Sequence, residues 1–386
     1  MVAAEASGGD GSGRRPLRVL HVQKVAGIGG SERHLLTLLP ALQRSGVDVR
    51  MVALATGRAL DFTGALRARG VDAAEVPAGA DASPRVVGGL VREIRRFAPD
   101  VVHTHLIHAD THGQLAAWLA RVPGVSSVHS THRFYARQPW RTPARLAGRL
   151  ARRTIAISDH VARGVTRIGL ARPERVRVVP YGIEPTGWTM SDGERARARA
   201  AFGLPPDAFV VGMAARLIPY KGHALLLDAA ARLAPSMPRL RVLIAGEGPQ
   251  RVQLERVAAR LPEGLVRFLG FVPNMPAFMN ACDVLAFLTM PELSEGFGLA
   301  ALEGMAARRP VVVTRVGPLP DVVADREAGL VVDPRSPEEL ARVLAALAED
   351  PALRVRLADG GRIRARQTFG LAAMVDRTLD VYREVV

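Results

Sequence analysis

One stretch of the sequence predicts the fold: Pro291-Glu-Leu-Ser-Glu295-Gly-Phe-Gly-Leu-Ala-Ala-Leu-Glu303-Gly-Met-Ala306. Residues 283–288, just before it, form a short apolar run typical of a buried strand, and the apolar residues after Phe297 recur at helical spacing. The predicted order is therefore strand, glycine-containing loop and helix. Open α/β sheets bind their ligands at the carboxyl ends of strands, so this loop is a candidate binding site.

Two carboxylates in this stretch are candidates for ligand binding. Glu295 is predicted on the loop, and Glu303 about two turns into the helix. The free backbone amides of residues 296–299 are predicted to point out of the helix N-terminus, where they suit an anionic or oxygen-rich ligand. The spacing favours two hydrogen-bonding roles on one extended ligand over the paired acid and base of a hydrolase. The alternative is an ordinary surface loop and an exposed helix.

The remainder of the chain repeats the alternation of strand and helix, so the predicted class is α/β. A chain of 386 residues exceeds the size at which one hydrophobic core keeps growing, which predicts two domains. Near-continuous apolar runs predict parallel strands that are buried on both faces. In the first half the predicted strands span 17–22, 48–54, 100–105, 125–129, 153–158 and 175–179. In the second half they span 209–214, 240–245, 265–270, 283–288, 310–314 and 329–332.

The predicted domain boundaries follow from composition. Residues 1–15 are small, Gly-rich and polar and are predicted to be a disordered lead-in, and 16–183 form the first domain. Residues 184–206 are rich in Gly, Pro and polar side chains and are predicted to be the interdomain linker. The second domain spans 207–370, and a last helix within 371–386 is expected to pack back across the first domain.

The net charge of +15 and the pI near 11.2 indicate an anionic partner. No zinc-finger spacing, helix-turn-helix signal or aromatic RNA-binding signature accompanies the charge, so nucleic acid is not the predicted partner. The segment from Arg133 to Arg153 holds seven arginines and no acid, with Trp140, Leu146 and Leu150 among them. Such a segment is typical of an interfacial helix and predicts peripheral contact with an anionic membrane, the alternative being a solvated charged face.

Nothing in the sequence directs the protein out of the cytoplasm. Cys282 is the only cysteine, so an internal disulfide is excluded. Residues 1–15 lack the apolar core of a signal peptide, and no apolar run is long enough to cross a bilayer. The expected location is cytoplasmic. The basic segment suggests that the protein could also associate peripherally with the inner face of the membrane.

Two further loops follow predicted strands. The first, Gly27-Ile-Gly-Gly30-Ser-Glu-Arg33, resembles part of a dinucleotide fingerprint, but Glu32 replaces its third glycine and no acid ends the next strand. A nicotinamide cofactor is therefore not predicted, and no other cofactor is. The second, Ala214-Ala-Arg216-Leu-Ile-Pro-Tyr-Lys221-Gly-His223, brings two cations and a helix N-terminus to a rigid turn. Such a turn can neutralise a diphosphate leaving group, the alternative being two exposed loop cations.

The first half holds a cluster of histidines: His103, His105, His108, His112, His129 and His132. Metal binding has to be considered, because His108 and His112 lie four apart on a predicted helix and two others share a strand face. Carboxylate partners are few and no Asp-x-Asp occurs, so no metal site is predicted. His132 follows the predicted strand over 125–129, at the edge that faces the interdomain cleft.

In order and separation, the motifs Gly29-Gly30-Ser-Glu-Arg33, Arg216 with Lys221, and Glu295-Gly-Phe-Gly with Glu303 resemble those of the GT4 family of retaining glycosyltransferases. The resemblance covers nearly the whole chain after residue 15. It implies the GT-B fold, in which two Rossmann-like doubly wound domains face each other across a cleft. The first domain would bind the acceptor, and the second a nucleotide-diphosphate sugar.

The resemblance assigns roles to the two cations and the two carboxylates. It implies that Arg216 and Lys221 hold the donor diphosphate in place of a metal ion. Glu303 would hydrogen-bond the ribose hydroxyls, and Glu295 would contact the transferring sugar and stabilise its developing positive charge. The implied reaction is metal-independent hexosyl transfer with retention, and a UDP-sugar is the preferred donor.

The resemblance also assigns roles to the groups around these residues. The amides of Phe297, Gly298 and Leu299 would help to hold the transferring sugar. Gly30 would lie near the donor phosphate and the acceptor, and His132 near the reacting sugar as a catalytic residue. The acceptor is left open as a cell-envelope glycan, a lipid or a natural product.

Two competing functions stay open. A GT-B sugar-nucleotide epimerase or hydrolase would act without an acceptor, and an inactive membrane-associated scaffold would not turn over nucleotide sugars. Two positions depart from the family pattern: Gly304 replaces a common alanine, and Tyr181-Gly-Ile-Glu184 replaces the usual Asn-Gly-Ile-Asp at the domain junction. The complete set of cations and carboxylates argues against the scaffold.

Overall fold

The computed structural model describes residues 15–55, 59–78, 83–130, 139–292 and 295–386. Within them the chain forms two β-sheets, one in each half, and neighbouring strands in both sheets are parallel. Helices alternate with the strands. The predicted α/β class is therefore correct.

The first sheet has the strand order β3-β2-β1-β4-β5-β6-β7. Its strands are β1 (Arg18–Val25), β2 (Asp48–Ala55), β3 (Asp72–Pro77), β4 (Val101–His105), β5 (Gly124–Val128), β6 (Arg153–Ala156) and β7 (Val176–Val178). The helices that alternate with them are α1 (Gly30–Arg44), α2 (Ala59–Arg67), α3 (Pro84–Phe97), α4 (Leu106–Ala120), α5 (Arg141–Leu150) and α6 (Asp159–Arg167).

The second sheet follows helix α7 (Asp192–Ala201) and has the order β10-β9-β8-β11-β12-β13. Its strands are β8 (Phe209–Ala214), β9 (Leu240–Ala245), β10 (Val266–Gly270), β11 (Val284–Phe287), β12 (Val311–Thr314) and β13 (Leu330–Val332). Its helices are α8 (His223–Leu233), α9 (Arg251–Ala258), α10 (Met275–Ala281), α11 (Leu299–Ala306), α12 (Leu319–Val323), α13 (Pro337–Glu349) and α14 (Pro351–Gln367). The chain ends in α15 (Leu371–Arg383).

Apolar side chains cover both faces of the first sheet. Along β1, Val19 packs into a buried cluster with α1 and α15, and Leu20 into another with α3 and α4. Alternate residues of a strand point to opposite faces, so neither face is left open to water. In each sheet the strand order reverses beside its first strand, at β1/β4 and at β8/β11. These two switch points mark the crevices in which such sheets bind ligands.

One strand was not predicted. β3 lies at the edge of the first sheet and pairs only with β2. Asp72, Glu75 and Pro77 interrupt its apolar pattern, and an edge strand tolerates them because one of its sides has no ladder partner. The predicted first sheet was therefore one strand short.

The stretch 291–306 has the predicted order of strand, loop and helix, with β11 before it and α11 within it. Gly298 has a φ of +102°, and a Cβ at this position would lie 2.5 Å from Leu319 Cδ2. Helical geometry therefore starts only at Leu299. Glu303 is the fifth residue of α11, just past its first turn, so the prediction of two turns was wrong.

The predicted linker and the last helix attach to opposite halves of the molecule. α7 lies within the linker and is held to the second half, because Arg195 and Arg199 both form ion pairs with Asp283. α15 returns to the first half, where Tyr382 is fully buried and its hydroxyl lies 2.7 Å from Nδ1 of His103. The first domain thus needs the end of the chain to complete its core.

The basic segment does not form one continuous helix face. α5 covers only residues 141–150, Arg153 lies in β6, and residues 131–138 lie outside the described part of the chain. Arg145 donates to a backbone carbonyl at 3.0 Å, whereas Arg141 and Arg149 are exposed. Among the described residues, no helix is long and apolar enough to cross a membrane.

Candidate active site

Glu295 lies just beyond the end of β11, in contact with Lys221. Lys221 Nζ donates to Glu295 Oε2 at 2.6 Å, and Thr289 Oγ1 donates to the same oxygen at 2.9 Å. The side chains of Lys221 and Glu295 are 22% and 20% exposed, so solvent still reaches the pair. Two residues that were predicted to act on one ligand therefore touch each other, from the loops that follow β8 and β11.

A glycine allows this contact. Lys221 ends a 3₁₀ turn (Pro219–Lys221), and Gly222 follows it with a φ of +73°. A Cβ at Gly222 would lie 1.8 Å from the carbonyl oxygen of Leu288. The loop after β8 can thus press against the end of β11, which brings the ammonium group to the carboxylate.

A pocket of about 290 Å³ opens beside the pair. Its second-domain wall contains the predicted residues Arg216, Lys221, Glu295, Gly298 and Leu299. Gly30, the first residue of α1, lines the same pocket from the first domain. Two cations, a carboxylate and a helix N-terminus suit a ligand that carries both negative charge and hydroxyl groups.

Glu303 lies in an adjoining pocket of about 110 Å³, and Leu299 lines both pockets. Arg33 of α1 reaches toward Glu303, with 3.8 Å between Nη1 and Oε1. Burial raises the pKa of Glu303 to about 7, and the charge of Arg33 opposes this shift. The two carboxylates thus occupy successive positions along one cleft, and each lies beside a cation.

Phe297 differs from the residues on either side of it. Its side chain is buried, and its ring centroid lies 5.4 Å from those of Tyr181 and Phe369. It lines neither of the two pockets. Any contribution of Phe297 to sugar binding therefore depends on its backbone amide.

Glu32 holds the glycine loop in front of α1. Its carboxylate accepts hydrogen bonds from Gly29 N at 2.9 Å, from Gln23 Nε2 at 2.5 Å and from Ser31 Oγ at 3.1 Å. The glutamate side chain thereby caps the start of the helix and fixes the backbone at Gly30. This role was not predicted, although a glutamate three residues after a glycine at a helix start is a signal for it.

The two domains touch at Gly296. Ser158 Oγ donates to the carbonyl oxygen of Gly296 at 2.7 Å, and a Cβ on Gly296 would lie 1.9 Å from the carbonyl oxygen of His129. Because only glycine fits, the loop that carries Glu295 rests directly on the edge of the first sheet. Neither first-domain contact was predicted, since Ser158 and Gly296 are 138 residues apart in the sequence.

Buried rings form a hydrogen-bonded series through the first domain. In order, this histidine chain consists of Tyr181, His129, His105, His21, Tyr382 and His103. Successive polar atoms lie 2.5, 3.1, 3.0, 3.3 and 2.7 Å apart. Burial lowers the pKa values of His21 and His129 to about 3, so these rings are neutral near pH 7. Each neutral imidazole can then donate once and accept once along the chain.

Three members of the histidine chain also have the spacing of a metal site. Ring nitrogens of His21, His103 and His105 lie within 4.8 Å of one another. However, both nitrogens of His105 bond to other histidines, and His103 bonds to Ser127 as well as to Tyr382. The ring nitrogens of these three histidines are therefore used by the hydrogen bonds of the histidine chain, and a metal ion could bind them only if those hydrogen bonds were broken.

The other histidines considered for a metal or for catalysis have different positions. His112 Nδ1 donates to the backbone carbonyl oxygen of His108 at 2.8 Å, so this ring nitrogen is already used. His132, predicted beside the reacting sugar, lies outside the described residues. Its role therefore stays a prediction.

Family models match both halves of the chain. The model described as "Glycosyltransferase Family 4" matches residues 28–186, and the model described as "Glycosyl transferases group 1" matches residues 194–364. The first match contains the glycine loop at Gly30. The second contains the two cations and the two carboxylates of the pockets.

Two curated relatives are named D-inositol 3-phosphate glycosyltransferase. The relative from Streptomyces bingchenggensis is 33% identical over 97% of this chain and 90% of its own length. The relative from Saccharomonospora viridis is 34% identical over 93% of this chain and 90% of its own length. The similarity therefore extends through both domains.

Solved structures share the fold. Anabaena Alr3699/HepE, solved in complex with UDP-glucose, gives a TM-score of 0.83 at 24% identity, over 96% of this chain and 100% of that one. Sucrose-phosphate synthase from Thermosynechococcus elongatus gives a TM-score of 0.75 at 21% identity, over 95% and 98% of the two chains. The predicted GT-B fold, with two Rossmann-like domains across a cleft, is confirmed.

Proposed function

The chain belongs to glycosyltransferase family 4, and we propose that it transfers a sugar from a UDP-sugar to an acceptor hydroxyl, with retention and without a metal ion. Its class, glycosyltransferase, follows from the family matches and the relatives. The proposal for donor and mechanism depends chiefly on one observation. Lys221 contacts Glu295 in a pocket that Gly30 of the other domain completes.

We assign the donor diphosphate to Arg216 and Lys221. Both line the pocket at the N-terminal end of α11, where the free amides of the first turn add positive potential. A diphosphate carries more negative charge and more acceptor oxygens than one carboxylate, so it would draw Lys221 away from Glu295. Fixed cations in a partly desolvated cleft then neutralise the leaving group, which makes a metal ion unnecessary.

Glu295, once released from Lys221, would face the transferring sugar. A carboxylate there stabilises the positive charge of an oxocarbenium-like transition state. Among the described residues that line the pocket, Glu295 is the only carboxylate, so no second acid stands ready as a nucleophile. Retention, which the family resemblance implies, would then proceed by attack on the donor face, with the departing phosphate oxygen taking the acceptor proton. Glu303, in the adjoining pocket, would accept hydrogen bonds from the ribose hydroxyls.

The identity of the substrates is a further part of the proposal. HepE was solved with UDP-glucose and shares the fold, which suggests UDP-sugars as the first donors to try. The relatives' name suggests D-inositol 3-phosphate as one acceptor, beside cell-envelope glycans, lipids and natural products. Peripheral contact with an anionic membrane through the segment from Arg133 to Arg153 would use the exposed Arg141 and Arg149.

A donor screen followed by product analysis tests this function. Nucleotide sugars are first ranked by the rise in melting temperature that they cause, because tight binding stabilises the folded state. The best donor is then incubated with and without acceptors, in the presence of EDTA, and the product anomer is assigned by NMR. We expect acceptor-dependent transfer with retention that EDTA leaves intact. Acceptor-independent release of a free sugar or an epimer would instead establish the hydrolase or epimerase, and binding without any turnover would establish a scaffold.

A further inference from the structure

A groove of about 670 Å³ lies in the first domain between α3, α4 and α5. It shares no lining residue with the pocket beside Lys221 and Glu295, called the donor pocket below. Its walls are mainly aliphatic: α3 contributes Pro84 and Val87, α4 contributes Leu115, and α5 contributes Leu146 and Leu150. A cavity of this size and composition is typical of a site for an apolar ligand.

Two polar side chains in the groove wall, Thr111 and His112, direct their hydrogen-bonding atoms into the protein. Thr111 Oγ1 and His112 Nδ1 both donate to the carbonyl oxygen of His108, at 3.0 and 2.8 Å. The other ring nitrogen of His112 lies 3.5 Å from the backbone amide of Ser83. Because these groups are already satisfied, they have little to offer the hydroxyls of a sugar. The groove is therefore suited to hydrocarbon.

The groove starts at the edge of the first sheet that faces the cleft. Helices in a parallel α/β domain run opposite to the strands, so the first residues of α3, α4 and α5 lie at the carboxyl edge of the sheet. The same edge carries Gly30, which lines the donor pocket. From Arg141 to Leu150, α5 extends about 13 Å away from this edge. A chain in the groove would thus have one end at the cleft and the other at the surface.

The rim of the groove is apolar and cationic. Leu146 is 55% exposed, and Trp118, 61% exposed, lies one helical turn beyond Leu115 on α4 and extends the apolar strip. Arg141 and Arg149 are exposed on α5, a helix that contains no acid. Cations beside an apolar trough complement an amphiphile that has an anionic group and a hydrocarbon chain.

We propose that this groove binds the hydrocarbon chain of the acceptor, an anionic amphiphile such as a lipid phosphate, and so directs the acceptor hydroxyl to the cleft. The inference rests on the proposed function, because it names the acceptor class of the same reaction. Burial of the chain supplies affinity, and Arg141, at the cleft end of α5, holds the anionic group. A wholly polar acceptor such as D-inositol 3-phosphate would leave the groove unused.

Alkyl phosphates from butyl to dodecyl, kept below their micellar concentrations, test the proposal. Calorimetric titration of the full chain in the presence of UDP should show an affinity that rises up to about fourfold per methylene and then levels off when the groove is full. Leu146→Glu places a charge in the apolar wall and should weaken dodecyl phosphate about tenfold or more, with little effect on butyl phosphate. Val355→Glu is the matched control, because Val355 is also 55% exposed but lies on α14.

A second variant, Val87→Trp, fills part of the groove and should shorten the chain length at which the affinity levels off. Affinity that does not depend on chain length, or equal losses in Leu146→Glu and Val355→Glu, would overturn the proposal. Efficient glycosylation of D-inositol 3-phosphate, with no higher kcat/KM for acceptors that carry an alkyl chain, would overturn it as well. So would binding of the protein to anionic phospholipid vesicles together with an affinity for alkyl phosphates that does not depend on their chain length. UDP binding at the donor site is measured separately, by the rise in melting temperature that UDP causes. If UDP caused no rise, the proposed function would be contradicted, whereas the proposal for the groove would not be.

Discussion

The two edges of the cleft use polar groups in opposite ways. At the second-domain edge, Lys221 and Glu295 are partly exposed and paired with each other, so a ligand can exchange with them. At the first-domain edge, the imidazoles of the histidine chain are buried and bonded to one another. A site that binds a charged ligand must leave its charges within reach, whereas an edge that sets position and shape can bury its polar groups. Under the proposed function, the second-domain edge would hold the charge of the donor, and the first domain would support that edge through its contacts with Gly296.

The largest expected effect follows removal of the second-domain cations. Lys221→Ala or Arg216→Ala should reduce kcat/KM about 100-fold or more, because each change removes a charge that faces the leaving diphosphate. Steady-state kinetics with the best donor measure the loss. Arg232→Ala, which removes a surface cation paired with Glu338, is the matched control and should change turnover by less than about twofold. Wild-type kinetics in both site variants would remove the basis for the diphosphate assignment.

The contact between the two edges can be broken at Gly296. Gly296→Ala should lower kcat/KM about 100-fold, because its Cβ would meet the carbonyl oxygen of His129 and displace the loop that carries Glu295. Binding of UDP, measured by thermal shift, should persist, since Arg216 and Lys221 are unchanged. Gly64→Ala, at an exposed position of α2 with no neighbouring atom within 4 Å, is the control. Full activity of Gly296→Ala would show that this interdomain contact is dispensable.

The difference between the edges also decides what could be predicted. The convergence of the second-domain residues on one pocket could be predicted from the sequence, because they belong to two short units, each a strand end, a glycine turn and a helix start. In such a unit the backbone itself places Glu295, Gly298 and Leu299 at one pocket, and Arg216 lies only five residues before Lys221. Only the start of α11, which depends on the left-handed Gly298, was misplaced.

The first-domain edge could not be predicted in the same way, because its partners are distant in the sequence. His21 and His105 are separated by 84 residues, and His103 and Tyr382 by 279. Strand alternation predicted that His103 and His105 share a face, but only the sheet order brings His21 beside them and only α15 brings Tyr382. Local patterns carry no information about such contacts.

Removing a buried imidazole should change the free energy of unfolding differently according to whether its ring nitrogens have hydrogen-bond partners. His105→Leu leaves ring nitrogens of His21 and His129 without partners and should lower the free energy of unfolding by about 3 kcal/mol. His223, buried in the second domain, has no hydrogen-bond partner for either ring nitrogen among the described residues. His223→Leu should therefore be neutral or stabilising by about 1 kcal/mol. Urea unfolding measures both values, and equal losses in the two variants would contradict this distinction.

A further expected effect is in the pH dependence of stability. The pKa of Glu303 rises from 4.5 to about 7 on folding, so the stability that it contributes is present below pH 4.5 and is lost as the pH rises through 7. Glu303→Gln should match wild type near pH 4 and exceed it by about 3 kcal/mol near pH 8. His21 and His129, with pKa values lowered from 6.5 to about 3, act in the opposite sense: their contribution is present above pH 6.5 and is lost as the pH falls toward 3.

Urea unfolding of wild type and Glu303→Gln across this pH range measures the difference directly. An excess stability of the variant that stays constant with pH would mean that Glu303 does not titrate near neutrality. The histidine contribution is common to both proteins and cancels in the comparison.

The scarcity of lysine permits the most direct test of nucleotide-sugar binding at the second-domain edge. Lys24 and Lys221 are the only lysines in the sequence, so reductive methylation followed by mass spectrometry reports on Lys221 individually. We predict that a saturating UDP-sugar protects Lys221 from methylation and leaves the labelling of Lys24 unchanged, because the bound diphosphate covers the Lys221 ammonium group. Equal labelling of Lys221 with and without a nucleotide sugar whose binding is verified by thermal shift would contradict the proposed donor site.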